Sequence, residues 1–237
     1  MSATTGAARG RDGSFRWRRL HSLSGIFPVG AFLLEHLYTN LYAVRGVDAY
    51  NDRVKGLAEL PFVPLLEVLF IYLPITYHGL YGMWIWWRGE GNLAQYPWQG
   101  NWLYSLQRWT GLVALAYIGF HAWEQRFAGA AILENPFVAF SKVQHSIARP
   151  VVHWFYVVGL VAACFHFAYG VWLFGCKWGL TPGPRAQRKL LWVCAALFLA
   201  LSGAGLASLR SFTRAPMQPR PEELIRMRAA PAGQPPG

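Results

Sequence analysis

The chain has 237 residues, 54% of them hydrophobic and only 14% charged, where an ordinary soluble domain carries about a quarter charged. Its net charge of +11 first suggests nucleic acid as a partner. The basic residues, however, sit in the tails and in short loops between long apolar runs, where they belong beside a bilayer, so membrane lipid is expected and nucleic acid is set aside.

Residues 1–14 have little to bury and are read as a disordered N-terminal tail. They contain no apolar core and no small-residue cleavage site, so no cleaved signal peptide is read. An all-α membrane domain follows over residues 15–212. Five stretches are each long enough to cross about 30 Å of hydrocarbon as a helix: about 20–42, 61–87, 103–125, 151–176 and 190–209. The segments between them, including RGVDAYNDRVKG and KWGLTPGPRAQRK, read as loops, and Pro28 and Pro74 mark kinks inside helices. Residues 213–237 are basic, rich in proline and read as a disordered tail. Cys164, Cys176 and Cys194 form no C-x-x-C motif and read as small buried hydrophobes. The Lys/Arg bias, with the final tail discounted, places the N-terminus in the cytoplasm and the C-terminus outside.

Four of the seven histidines fall deep inside apolar segments, one each on the first four: His36, His78, His121 and His166. Ionisable groups at that depth are costly and mark function. Each lies about 15 to 18 residues into its helix, or roughly 23–27 Å along the axis. Because successive helices run in opposite directions, His36 and His121 share an outer level and His78 and His166 an inner one, roughly 15–20 Å apart. A pair of imidazoles at one level suits bis-histidine haem ligation, and two such pairs are expected to make this five-helix bundle enclose two haems. Two separate levels argue against one zinc or copper centre. The bland alternative is polar packing between helices.

His78 and His166 both read H-x-x-Y-G, and Gly82 and Gly170 on the same face leave room for a macrocycle edge. His145 reads as a loop residue and His153 as a helix-start residue with no partner. His21, Ser22, Arg108 and Lys177 lie near the inner level and read either as haem-propionate contacts or as ordinary interface anchors. Glu67 is the best-placed acid for proton relay to a quinone, with a cross-helix hydrogen bond as the alternative role. Glu35 is a second candidate, although its neighbour His36 points to another face.

The motifs RRLHSLSGIFPVGAFLLEHL (18–37), IYLPITYHGLYG (71–82), LQRWTG (106–111) with HAWE (121–124), and FHFAYGVW (165–172) occur in order. Together they resemble the dihaem cytochrome b membrane anchor of Bacillus-type succinate:menaquinone oxidoreductases, part of the fumarate reductase cytochrome b superfamily. The resemblance runs from about residue 16 to 205. It implies His36 and His121 as axial iron ligands of a distal haem b, and His78 and His166 of a proximal one. It implies an iron–sulfur subunit and an FAD-containing flavoprotein as partners, the latter carrying out succinate oxidation. Electrons would pass through the two haems to membrane quinone, menaquinone in this family, near the distal haem, in a bacterial cytoplasmic membrane. A related fumarate reductase has a proton-carrying glutamate two residues before its fourth ligand; here that position is Cys164. The alternatives are the quinol-oxidising anchor of a fumarate reductase, the anchor of a formate dehydrogenase or hydrogenase, and a haem-free transporter that uses histidines as polar glue.

Overall fold

The computed structural model describes residues 4–89 and 91–230, with side chains from Ser14 onward. All regular structure among them is helical. The elements are α1 (Thr4–Ile26), α2 (Val29–Leu41), α3 (Val47–Ala58), α4 (Val63–Glu67), α5 (Leu73–Arg88), α6 (Gln99–Ala122), α7 (Ala139–Ile147), α8 (Pro150–Lys177), α9 (Pro184–Arg214) and α10 (Pro221–Ala229). Three of the described helices are long and apolar enough to cross a membrane: Val63–Arg88, Pro150–Lys177 and Pro184–Arg214.

The prolines act as local chemistry requires. The first apolar run breaks between Ile26 and Val29, around Pro28. Pro74 lies in the first turn of α5, just after a π-helical turn at Val68–Tyr72 that joins α4 to α5. A proline ring clashes with the carbonyl four residues back and leaves it without its N–H partner; a widened turn at that point keeps the helix continuous. A second π-helical turn, Trp123–Phe127, extends α6. After α8, Gly179 adopts φ 75°, which glycine enters at no steric cost. The chain then folds back so that the Leu180 amide donates to the Gly175 carbonyl at 2.9 Å.

The chain divides into two compact units. One comprises the segments up to Leu34, Leu65–Leu112 and Phe165–Phe198. In it α1 packs on α5, and the Tyr77 hydroxyl donates to the Trp17 carbonyl at 2.9 Å. Arg108 donates from one terminal nitrogen to the carbonyls of Trp86, at 2.5 Å, and Gly89, at 3.0 Å, closing the C-terminal end of α5.

The other unit comprises Glu35–Pro64, Val113–Cys164 and the segment from Leu199. Its core gathers Tyr50, Phe140, Val143, Ile147, Tyr156, Leu209 and Phe212. Three short helices here depart from the sequence reading. Residues 47–58 were expected as loop, yet Val47, Tyr50 and Val54 recur at helical spacing and turn to this core. His145 lies on α7, not in a loop, and its Nε2 is 2.8 Å from the Gln218 carbonyl. The expected tail from residue 213 is instead tied down as far as α10. Gln144 Nε2 donates to the carbonyls of Phe212 and Ala215, each at 3.0 Å, and of Pro216 at 3.2 Å, while its Oε1 accepts the Gln218 amide at 2.9 Å. Residues 231–237 of that expected tail lie outside the described residues. At the other end α1 begins at Thr4 where a tail to residue 14 was expected. The expected fifth span, 190–209, is longer at both ends: α9 runs from Pro184 to Arg214, since helix continues past the apolar stretch into polar surroundings.

Lys142 is 8% exposed, and its Nζ donates to the carbonyls of Ala128 and Ala130 at 2.7 Å. Burial pulls its ammonium below the usual lysine range.

Gln144→Ala strands the carbonyls that receive its side chain, at a cost of about 1–3 kcal/mol. The segment after α9 should then open more often, and limited trypsin digestion should cut at Arg214 and Arg220 roughly tenfold faster than in the parent.

Candidate histidine sites

In the first unit three imidazoles come together. The His78 ring stacks on His21, with centroids 4.1 Å apart and planes 15° apart. It meets His166 edge to face at 6.1 Å. All three are half-buried. His78 Nδ1 lies 3.0 Å from the His21 carbonyl and 3.3 Å from the Ser24 hydroxyl. His166 Nδ1 lies 3.0 Å from the Gln107 carbonyl. In return Gln107 Nε2 donates to the His166 carbonyl at 2.9 Å. A backbone carbonyl only accepts, so it draws the ring proton to Nδ1 and leaves the Nε2 lone pair of each ring for a metal.

Glycines bring the neighbouring helices close to these rings. A methyl group on Gly25 would collide with the His78 ring, and one on Gly111 would come within 2.8 Å of His166 Cε1. Gly82 faces His21 instead, at 3.1 Å, and Gly170 meets Gln107 Nε2 at 3.5 Å. The glycine of H-x-x-Y-G is therefore not the one that admits its own histidine. That work falls to Gly25 on α1 and Gly111 on α6, which lie within quoted motifs but were given no role there, because a cross-helix approach leaves no local signal. His21 Nδ1, Arg108 Nε and Gln107 Oε1 are buried without a hydrogen-bond partner. Lys177 is exposed at the end of α8, and Ser22 is half-buried on α1. Glu67 is half-buried at the end of α4, directly before the π-helical turn.

In the second unit the rings of His36 and His121 meet edge to face at 5.5 Å. His121 Nδ1 lies 3.2 Å from the Tyr156 hydroxyl, and Gln125 Nε2 donates to the same hydroxyl at 3.2 Å. Glu35 points away from this site. It accepts from Thr39 at 2.6 Å and pairs with Arg53 at 3.0 Å.

No group of three or more His, Cys, Asp or Glu among the described residues is arranged to hold a metal ion. Each ring pair offers two imidazoles, the side chains that would hold a haem iron.

Residues 92–203 match the family model for the succinate dehydrogenase/fumarate reductase transmembrane subunit. Over 198 residues the chain is 40% identical to the succinate dehydrogenase cytochrome b558 subunit of Bacillus subtilis (strain 168), covering 84% of this chain and 96% of that relative. The chain belongs to this transmembrane-subunit family. The family match spans α6, α7, α8 and most of α9, and so includes His121, His166, Gln107, Gly111 and Tyr156.

Gly111→Ala and Gly119→Ala should have opposite effects. The first overpacks the His166 ring and costs about 1–3 kcal/mol. The second adds a methyl where nothing lies within 4 Å and gains up to about 1 kcal/mol of helix propensity. Thermal unfolding in detergent should give a lower midpoint for the first and an unchanged or higher one for the second.

Proposed function

We propose that the chain is the membrane-anchor cytochrome b subunit of a succinate:quinone oxidoreductase. It holds one b haem between His36 and His121 and another between His78 and His166. The observation that carries this reading is two histidine pairs meeting ring to ring, with Nδ1 of His78, His121 and His166 within hydrogen-bonding reach of an oxygen. The Bacillus subtilis relative is named a cytochrome b558 subunit, which supports haem as the group. The donor chemistry fits it: Nε2 atoms left for iron, glycine backbone against the rings, and buried polar atoms with unused capacity.

The chain crosses the cytoplasmic membrane of a bacterium five times, with its N-terminus inside and its C-terminus outside. The two spans beyond the three most apolar ones are α1 with α2, and α6. Their polar groups, Ser24 and Gln107 among them, are engaged with histidines. An iron–sulfur subunit docks on the cytoplasmic side, and succinate is oxidised on an FAD-containing flavoprotein beyond it.

Haem, when bound, supplies a one-electron couple whose potential its axial ligands and their hydrogen bonds tune. The protein's part is to present Nε2 and to hold the rings. The His21 and Gln107 carbonyls keep the protons of His78 and His166 on Nδ1. His21 Nδ1 and Arg108 Nε, both unsatisfied, are suited to a haem carboxylate in the first unit, with Ser22 and Lys177 as further contacts. Quinone, menaquinone on the family resemblance, is reduced near the His36/His121 haem. Glu67 is the acid that relays protons in this reading; it directly precedes a π-helical turn, a feature common at functional sites. The family model covers both succinate dehydrogenases and fumarate reductases, so the reverse reaction, with quinol as electron donor, is the second reading.

The reduced-minus-oxidised spectrum of the protein purified with its native partners should show two b haems per chain; a spectrum without haem sinks the proposal. In a redox titration, His36→Ala and His121→Ala should each remove one component, and His78→Ala and His166→Ala the other. Loss of the same component from His36→Ala and His78→Ala would refute the pairing.

A further inference from the structure

His121 differs from His78 and His166 in what receives its Nδ1 proton. The latter two face backbone carbonyls, whereas His121 faces a hydroxyl, which can accept or donate. A hydroxyl alone does not decide the tautomer. The groups behind it do.

Glu124 lies in the π-helical turn after α6, and its carboxylate faces three partners. One oxygen is paired with the Arg149 guanidinium. The other accepts the Ser146 hydroxyl at 2.5 Å and lies 3.5 Å from the Tyr156 hydroxyl. A carboxylate held by arginine only accepts. Tyr156 has a single proton, and besides His121 it faces two acceptors that draw it, the Glu124 carboxylate at 3.5 Å and the Ser146 hydroxyl that Glu124 holds. Gln125 Nε2 donates to the tyrosine oxygen from one side. The contact with His121 can then run only one way: Nδ1–H donates and Tyr156 accepts. The chain Arg149–Glu124–Tyr156–His121 thus holds the proton on Nδ1. Arg149, at its far end, has a side chain 55% exposed, while that of Glu124 is 18% exposed.

We infer that Tyr156 and Glu124 are positioning residues for the His36/His121 haem, an inference that rests on the proposed function. They fix the tautomer and orientation of His121 and, with Arg149, give its ring anionic character. An acceptor behind an axial imidazole raises the basicity of the ligand and so favours oxidised iron. This site is tuned by side chains, whereas the nearest Nδ1 acceptors of His78 and His166 are backbone carbonyls that substitution of a side chain does not remove, with the Ser24 hydroxyl a longer contact of His78.

The test uses the full chain with its native partners, potentiometric titration of each haem, and low-temperature EPR of the oxidised state. Tyr156→Phe keeps the ring but removes the acceptor. Glu124→Gln brings in an amide that donates as well as accepts, so the direction of the chain is lost. Each should raise the potential of the component that His121→Ala removes, changing its oxidised-to-reduced ratio at fixed ambient potential roughly three- to tenfold (tenfold is ~59 mV for a one-electron couple). The EPR signal of that haem should move with it. The other haem should keep its potential and signal. Arg149→Gln should shift the same component, and Arg149→Lys should restore most of the parent value. Two haems with no selective shift overturn this inference alone, as does an equal shift in both. If Tyr156→Phe does not accumulate, Arg149→Gln decides by the same criterion. A parent protein without haem overturns the proposed function and this inference together.

Discussion

The chemistry of these sites depends on where the Nδ1 protons of the imidazoles go. In apolar surroundings an imidazole N–H without an acceptor costs about 1–3 kcal/mol, and polar acceptors are scarce at membrane depth. His78 and His166 use carbonyls inside helices, those of His21 and Gln107. Such a carbonyl already receives a backbone N–H from the next turn, but its second lone pair remains. Using that lone pair requires the donor ring to come close to another helix, and the rest of the local packing follows from this demand.

The close approach explains the glycines. Gly25 and Gly111 stand where any side chain would enter the ring of His78 or His166. Gly25 lies one residue from Ser24, whose hydroxyl is shared between the His21 carbonyl and His78 Nδ1. Gly111 lies one turn from Gln107, which both accepts from and donates to residue 166. A short stretch of α1 or α6 thus supplies both the acceptor and the gap that lets the ring reach it. Small residues at helix contacts serve the same end throughout membrane proteins; here the group admitted is an imidazole.

Most of the long helices and all four deep histidines are legible in the sequence because both signals are local. A run of apolar residues declares itself, and a histidine within it stands out. The rings that meet are also those that helix polarity pairs, since alternating direction and depth need no side-chain detail. What was not legible is what depends on distant partners. Helix α3 reads as loop because Gly46, Asp48, Asn51 and Asp52 carry turn chemistry, yet the Asn51 side chain is taken up by the Phe137 carbonyl and the Phe140 amide. The segment after α9 has the composition of a disordered tail, yet Ser141, Gln144 and His145 on α7 meet its backbone between Ala215 and Pro219. Arg108 reads as an interface anchor or a propionate contact; that one of its terminal nitrogens also closes the end of α5, leaving Nε without a partner, has no local signal.

The two sites therefore solve one problem by different means, with different consequences for tuning. A backbone carbonyl is a fixed acceptor: its direction is unambiguous and its strength is set by the helix. A tyrosine hydroxyl is an ambiguous one, and it becomes definite only because an ion-paired carboxylate behind it accepts and never donates. That solution needs more residues, drawn from the end of α6 and the turn after it, the end of α7 and the start of α8, and it depends on the arginine that anchors the carboxylate. In exchange, side chains some distance from the imidazole set its character, and the last of them is half in solvent. A site arranged in this way can be adjusted by substitution without moving the helices that carry its histidines, whereas at the carbonyl-held site the nearest acceptors move only with their helices and Ser24 adds a longer side-chain contact to His78.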